Sequence, residues 1–334
     1  MSIFPEKLRA IARVVSFDAG GRLVRQGEPS RGAFLIRSGS VQAQVALPGG
    51  GALTVASLGE GEMFGEMALV ERGVCSASVV AASAVDAWFV EREDFRAMVA
   101  SRDPAALEVQ RAITRVLAGK LRALNAKVRE HPAEEDRAPR GEPPAAIEIR
   151  GAGEPGFEWR PFLPMLRFLE GFDAYEIAEI VAIGRALQLA RGAWLFGAGE
   201  PPQSSFLVMR GAVEVLARHG TLERRVALAG PGELVGYLAV LEGARHGASA
   251  RAREQAALLE FPAEAFLALY NGSSGTSVRL QHAIHASLLR SLARTNSQLT
   301  RLITAARLRG AQAEGRALEA ARGSQIVDLV EQPH

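Results

Sequence analysis

The sequence has almost no cysteine and no long apolar run. Cys75 is the single cysteine among 334 residues, so no disulfide can form within the chain and a reducing compartment is expected. No run of about 18 apolar residues suggests a membrane span. Residues 1–15 carry four charged side chains, where a signal peptide would need an unbroken apolar core. We therefore expect a cytoplasmic protein with no membrane partner.

The sequence also has no surplus of charge of one sign and no enzyme motif. Its 39 basic and 37 acidic residues leave a net charge of +2, so no overall field favours a nucleic acid. It contains no Walker loop and no nucleophile motif, and no acidic residue is spaced with His282 and His285 to form a zinc site. We therefore predict a protein that is not an enzyme, holds no metal and binds no nucleic acid.

Short strands separated by glycine turns are the main pattern that is present. Apolar residues alternate with polar ones over residues 41–47, and glycines mark the reversals on either side. Helical spacing occurs at the start, from Leu8 to Val15, and again over residues 104–128. The sequence therefore predicts a mainly β fold with flanking α-helices, built from jelly-roll (double-stranded β-helix) barrels that each have N- and C-terminal helices.

The second half of the sequence repeats the first. With a shift of 172 residues, nine positions between Ile11 and Val41 recur in residues 183–213. With a shift of 171 residues, eight positions between Gly61 and Phe95 recur, as do Gln110, Ile113, Leu117, Leu121 and Asn125. The offset between matching positions changes by only one residue, from 172 to 171, across a whole half. Such a match is improbable by chance, so we predict two tandem copies of one domain.

The stretch between the copies has a different composition. Residues 130–156 are charged and proline-rich and have almost no apolar periodicity, which is typical of a linker. We therefore predict a first domain over residues 1–129, a linker over 130–156 and a second domain over 157–310 that ends in a long helix. Glycines at 310, 315 and 323 interrupt the last part of the chain, so residues 311–334 are predicted to form a flexible tail.

A short glycine-containing stretch in the first copy is the candidate binding site. It begins Phe64-Gly-Glu-Met-Ala-Leu69 and continues to Ala77-Ser-Val79. This stretch resembles the phosphate-binding cassette of cyclic-nucleotide-binding domains, which implies that helix-start N–H groups and an arginine hold the phosphate of cAMP or cGMP while a glutamate binds the ribose 2′-hydroxyl. The resemblance covers nearly all of both copies. The site residues it implies in the first copy are Phe64, Gly65, Glu66, Met67, Ala68, Cys75, Ser76 and Ala77.

Each cassette departs from the family pattern in a different place. In the first copy Cys75 stands at the arginine position and supplies no charge; Arg72 is the nearest alternative cation. In the second copy Tyr237 replaces the glutamate, and His246 takes the arginine position with Arg245 before it. The site residues implied there are Gly236, Tyr237, Leu238, Ala239, Arg245, His246 and Ala248.

Residues 278–309 form a predicted amphipathic helix with apolar residues at three- and four-residue steps and arginines between them. In transcription regulators that resemble this chain, the matching helix pairs two subunits and leads into a helix-turn-helix, which is missing here. A homodimer through this helix, or packing of the helix onto its own barrel, accounts for the apolar stripe equally well.

Two functions remain open. In the first, a bacterial regulatory protein binds a cyclic nucleotide, moves its C-terminal helices and so controls an unidentified protein effector. In the second, the domains are degenerate, bind no nucleotide and serve as an interaction or dimerisation scaffold. The tandem layout resembles protein kinase A regulatory subunits, but no Arg-Arg-Xaa-Ser segment precedes the first copy.

Overall fold

The computed structural model describes residues 11–46, 51–70, 73–130, 153–219 and 222–330. Most of the predicted linker therefore lies outside the described residues, as do residues 1–10 and the last four positions of the predicted tail. Two similar bodies, one from each half of the chain, make up the described part.

The first half folds into two antiparallel four-stranded sheets. The strands are β1 Arg13–Phe17, β2 Arg22–Val24, β3 Gly32–Ser38, β4 Val41–Ala46, β5 Ala52–Leu58, β6 Met63–Phe64, β7 Ser78–Ala81 and β8 Val85–Glu91. Their order is β1-β8-β3-β6 in one sheet and β2-β7-β4-β5 in the other. The apolar faces of the two sheets meet in a core around Phe34, Val41 and Val79. The described residues of this half also form three helices: α1 Met67–Val70, α2 Arg92–Ala100 and α3 Pro104–Glu130.

The second half begins with two 3-10 turns, Arg160–Met165 and Arg167–Leu169, and helix α4 Ala174–Ala182. Asp173 caps α4 because its carboxylate accepts a hydrogen bond from the backbone N–H of Glu176. The strands are β9 Arg185–Leu189, β10 Trp194–Phe196, β11 Ser204–Arg210, β12 Val213–His219, β13 Leu222–Ala229, β14 Leu234–Val235, β15 Ser249–Ala252 and β16 Ala256–Pro262, and the further helices are α5 Tyr237–Glu242, α6 Ala263–Asn271 and α7 Gly275–Val330.

The strand order confirms the predicted repeat. The second half has sheets β9-β16-β11-β14 and β10-β15-β12-β13, which is the order of the first half with every number raised by eight. Val41 pairs with Leu58, and Val213 pairs with Ala229. Since the first members differ by 172 and the second by 171, the one-residue slip falls in the β4–β5 hairpin and its counterpart β12–β13. The predicted tandem jelly-roll architecture is therefore confirmed.

Helices α3 and α7 pair with each other along the boundary between the halves. The side-chain amide of Gln110 donates to that of Gln281 at 2.7 Å, and Thr114 Oγ1 lies 2.6 Å from His285 Nε2. Each of these pairs joins positions that differ by 171, at successive turns, so the two helices run parallel and in register. Their apolar residues share one buried core: Ile113, Leu117, Leu121, Ile284 and Leu288.

This pairing accounts for the apolar stripe within a single chain. Leu280, Ile284 and Leu288 are almost fully buried, and they contact α3 of the same chain. Between residues 280 and 302 most of the stripe is therefore covered within the chain, although Leu292 is only partly buried, and a homodimer through this helix stays a prediction.

Two other expectations differ from the structure. Val14 and Val15 belong to strand β1, where the apolar spacing from Leu8 to Val15 predicts a helix. Helix α7 continues to Val330, where the glycines predict a tail from residue 311. An isolated glycine costs a helix only about 1 kcal/mol relative to alanine, and the intervening residues are mostly good helix formers. The division into domains remains a prediction.

The described part of the chain contains neither a membrane-spanning helix nor a cluster of metal-binding side chains. No helix there combines the necessary length with enough apolar residues to span a bilayer. No group of three or more histidine, cysteine or acidic side chains lies close enough together to hold a metal ion, again among the described residues.

Candidate functional site

The first cassette packs its aromatic residue into the barrel and leaves a tight turn behind it. Phe64 is buried and its ring stacks on that of Phe34, with the centroids 4.8 Å apart. Gly65 has a φ of +75°, and a Cβ there would approach the carbonyl oxygen of Gly32 to 2.7 Å. Only glycine fits this turn, which places the next residues at the start of α1. Of these, Ala68 is buried and Met67 is exposed.

Glu66, the predicted sugar-binding residue, already has a partner within its own half. Its side chain is only 6% exposed, and its carboxylate accepts a hydrogen bond from Nζ of Lys120 on α3. A buried carboxylate requires such a partner, because an unpaired charge in this position would be costly. A ribose hydroxyl would therefore have to share Glu66 with Lys120.

Cys75 lies in a turn fixed by two backbone hydrogen bonds. Its N–H donates to the carbonyl of Glu28 at 2.8 Å, and its own carbonyl accepts from the N–H of Gly27 at 2.9 Å. The thiol is partly buried, Ser76 is exposed and Ala77 is partly buried. The alternative cation Arg72 lies outside the described residues.

His246 occupies the equivalent turn in the second half. Its N–H donates to the carbonyl of Glu200 at 2.9 Å, and its carbonyl accepts from the N–H of Gly199 at 2.8 Å. Glu200 and Gly199 are the repeat equivalents of Glu28 and Gly27, the partners of Cys75. The buried imidazole stacks on the ring of Phe196, with the centroids 3.8 Å apart and the planes 10° from parallel.

The imidazole of His246 is neutral near pH 7. Burial lowers the pKa of His246 to about 4, while Glu200 favours the charged form and Arg122 opposes it. At the position where the family has a permanent cation, the second half therefore has an uncharged aromatic ring.

Tyr237 fills the position of Glu66 in the second half. It is buried, and burial raises the pKa of the phenol above its usual value. Its hydroxyl lies close to Ser291 on α7. Ser291 is the repeat equivalent of Lys120, so a buried phenol and a nearby hydroxyl stand where the first half has the ion pair Glu66–Lys120, and the Tyr237 hydroxyl has no hydrogen-bond partner among the described residues. Each cassette is thus matched to its own C-terminal helix.

A cavity of about 280 Å³ lies beside the second cassette. This volume is close to the lower end of the range of roughly 300–1,000 Å³ that small-molecule sites occupy. The barrel contributes apolar walls, including Phe196, Val215 and Leu234, and α7 contributes Ser291 and Thr295. The cassette residues predicted from the sequence that line the cavity are Gly236, Tyr237, Leu238, Ala239, His246 and Ala248.

Arg245 is the predicted cassette residue that does not line this cavity. It is exposed, and its Nη1 donates to the carbonyl oxygen of Gly199 at 2.7 Å. The arginine therefore braces the turn from outside, where the sequence predicts a phosphate contact.

Helix α3 of the first half supplies the arginines of the cavity. Arg122, Asn125 and Arg129 all line it, although they belong to the other repeat. Nη2 of Arg122 donates to Glu242 on α5, and Nη1 of Arg129 donates to the carbonyl of Gly247 at 3.3 Å. Sequence reasoning missed these residues because it searched each cassette alone. The signal for Arg122 and Asn125 was their place in the helical stretch of residues 104–128, which Arg129 directly follows.

The cavity combines apolar walls with positive charge. Two arginines line it beside the uncharged ring of His246, and none of the described residues that line it is acidic. An arginine forms strong, often bidentate hydrogen bonds with phosphate or carboxylate. The arrangement therefore suits a ligand with an apolar or aromatic body and one anionic group.

A family model matches both halves of the chain. Residues 14–102 and 186–273 each match the family model described as a cyclic nucleotide-binding domain, and together they make up more than half of the chain. The two matches fall on the two barrels, one in each half.

Curated relatives match only part of this chain. Glutaminase 1 of Bradyrhizobium diazoefficiens is 34% identical over 122 residues, which are 36% of this chain and 19% of the relative. The cyclic AMP receptor protein of Thermus thermophilus is 36% identical over 83 residues, which are 25% of this chain and 38% of the relative. The chain thus spans well under half the length of these relatives.

Among solved structures, the regulatory domain of Toxoplasma gondii PKA, crystallised with cAMP, is 20% identical to this chain. The match covers 83% of this chain and 87% of that one, with a TM-score of 0.32.

Proposed function

Because the chain belongs to the cyclic nucleotide-binding domain family and carries two copies of that domain, we propose that it is a regulatory protein without enzymatic activity that senses a cyclic nucleotide, cAMP or cGMP, in its second half. Binding alters how helices α3 and α7 pack, and the altered helices control a protein effector.

One observation carries this proposal: the cavity of the second half is closed by helices from both halves. The barrel, α3 and α7 each contribute side chains to its wall. A ligand there touches both helices at once, so the free energy of binding depends on how the helices are placed. The pairing of α3 with α7 is the element that such a ligand biases.

The first half is better explained as a scaffold that binds no nucleotide. Glu66 is already paired with Lys120, and Cys75 provides no charge at the arginine position. By the repeat symmetry, Ala293 and Thr300 of α7 stand where Arg122 and Arg129 stand on α3. The first half therefore lacks both sources of positive charge. This supports the scaffold hypothesis for that half.

Isothermal titration calorimetry of the full chain with cAMP and with cGMP tests the proposal. We expect one binding event per chain. Ala248→Phe should abolish it, because Ala248 lines the cavity and the larger side chain fills part of the volume. The same substitution at the equivalent position of the first half, Ala77→Phe, should leave the binding event in place.

The proposal fails if neither nucleotide binds, or if Ala77→Phe abolishes binding while Ala248→Phe does not. Thermal unfolding of both variants verifies that each remains folded.

Two further parts of the proposal rest on composition and relatives. We place the protein in the bacterial cytoplasm, because it has a single cysteine and the curated relatives named above are bacterial. We propose a protein as effector in preference to DNA, because the described residues after Gly275 form one helix and include no helix-turn-helix.

A further inference from the structure

The cassette of the second half has neither the arginine nor the glutamate with which the family holds a cyclic nucleotide, so the cavity beside it lacks both groups. We propose, building on the function above, that the first half supplies the missing cation through Arg122 and that the cavity binds a cyclic nucleotide without recognising its 2′-hydroxyl. The ligand class is then a planar ring system carrying one anionic group, with no requirement for a ribose 2′-hydroxyl.

The cation has to come from α3. His246 is buried against Phe196 and uncharged at neutral pH, and Arg245 is turned outward to the carbonyl of Gly199. Arg122 and Arg129 are the two arginines that line the cavity. They reach the cassette loop from the other half: Arg129 donates to the carbonyl of Gly247, and a Cβ on Gly247 would lie 3.8 Å from Nη1 of Arg122.

Arg122 is held in place by an acid that a bound anion would displace. Its Nη2 donates to Glu242 at the end of α5, and the Glu242 side chain is only 17% exposed. An incoming phosphate competes with Glu242 for the same guanidinium group. Neutralising Glu242 should therefore strengthen binding, whereas removing Arg122 should weaken it.

The missing sugar contact is a consequence of Tyr237. In the first half a carboxylate stands at this position, but in the second half a buried phenol lies against Ser291. A hydrogen bond to a charged group contributes considerably more than one between neutral groups. With no carboxylate among the described residues of the cavity wall, the 2′-hydroxyl has no acidic partner there to donate to, so removing it from the ligand removes no hydrogen bond to a carboxylate.

Calorimetry of the full chain with 3′,5′-cAMP and with 2′-deoxy-3′,5′-cAMP tests the sugar contact without any mutation. We expect the two dissociation constants to agree within about threefold, whereas a carboxylate contact would separate them by roughly tenfold or more. A separation of that size overturns this inference and leaves the proposed function intact. Binding of neither compound overturns both.

Three variants test the cation. Arg122→Gln should weaken cAMP binding by roughly tenfold or more, since it removes a charge-assisted hydrogen bond. Glu242→Gln should strengthen binding by about three- to tenfold. Arg245→Gln, the matched exposed arginine that does not line the cavity, should change affinity by less than about twofold. If Arg122→Gln does not weaken binding, the cation does not come from Arg122 and the inference is wrong, and a loss of affinity in Arg245→Gln alone would assign the cation to the cassette.

Discussion

His246 shows how one side chain changes role between two copies of the same domain. It lies in the turn of the second half that is equivalent to the turn of Cys75 in the first. Its ring is stacked on Phe196 and kept uncharged by burial. A bound anion changes this balance, because a negative charge nearby favours the protonated ring. The residue therefore makes binding depend on pH even though it supplies no permanent charge.

We predict that the affinity for cAMP rises as the pH falls. In the free protein the pKa of His246 is lowered to about 4, and a bound phosphate raises it. The complex then holds more protons than the free protein, so binding strengthens from pH 8 towards pH 5, by about three- to tenfold. Glu200 and Arg122, the charged groups that act on the ring, favour and oppose its protonation respectively.

Calorimetry at pH 8, 7, 6 and 5 measures this dependence, and His246→Gln is the control. The variant should bind with an affinity that varies much less across the series. An affinity that falls as the pH is lowered, in the unsubstituted protein, would contradict the assignment.

A second prediction at the scale of single residues concerns how the ion pair Glu66–Lys120 contributes to the free energy of unfolding. Replacing either one should destabilise the chain by about 1–3 kcal/mol, with Lys120→Ser costing more because it leaves a buried carboxylate unpaired. The half-exposed lysine keeps the cost below that of a fully buried pair. The double substitution Glu66→Tyr with Lys120→Ser should recover most of the loss, because it leaves no buried charge unpaired and installs the two uncharged residues present at these positions in the second half.

Urea unfolding of the two single variants and the double variant gives the three free energies of unfolding. Losses that simply add in the double variant would show that the two positions are not coupled in the way their equivalents, Tyr237 and Ser291, suggest.

At the scale of elements, α3 and α7 are the pair that joins the halves. The repeat offset of 171 appears directly in their contacts, from Gln110–Gln281 to the cluster that contains Val128 and Leu299. Within one chain the two helices thus form a parallel, nearly two-fold pair. The stripe that suggested a homodimer in the sequence serves this internal pairing.

We predict that Leu288→Ala lowers the free energy of unfolding by about 2–5 kcal/mol. Leu288 is fully buried between the helices, and truncation leaves a cavity there. Ser297→Ala is the matched control on the same helix, because its exposed hydroxyl bonds only to the carbonyl of Ala293 one turn earlier. Urea unfolding checks both. Equal effects of the two substitutions would mean that the helix pair contributes little to stability.

At the scale of the whole molecule, the architecture could be predicted from the sequence. Of the residues that line the cavity, only those of the cassette could be. The offsets of 172 and 171 predict both barrels and even the position of the slip. Tyr237 and His246, which the cassette motif predicts as site residues, line the cavity, and their role in binding stays a prediction. Arg122 and Arg129 were not predictable in this way, because their contact with the second cassette depends on how two helices about 170 residues apart are paired.

Predictions from a short pattern or from a single neighbouring residue differ from the structure. A few apolar residues before Val15 fit a helix, but pairing of β1 with β8 decides the conformation of Arg13–Phe17. Arg245 looked like the natural cation because it is next to the family position, yet its direction is set by the carbonyl of Gly199. Tertiary contacts settle such cases, and periodicity over a few residues does not.

The central claim is that a ligand in the second half is held partly by the first half, and hydrogen–deuterium exchange of the full chain with saturating cAMP tests it most directly. We predict slower exchange in the second cassette and also in α3 around residues 118–129, with the α3 protection lost in Arg122→Gln. Protection confined to the second half, with α3 unchanged, would contradict the account.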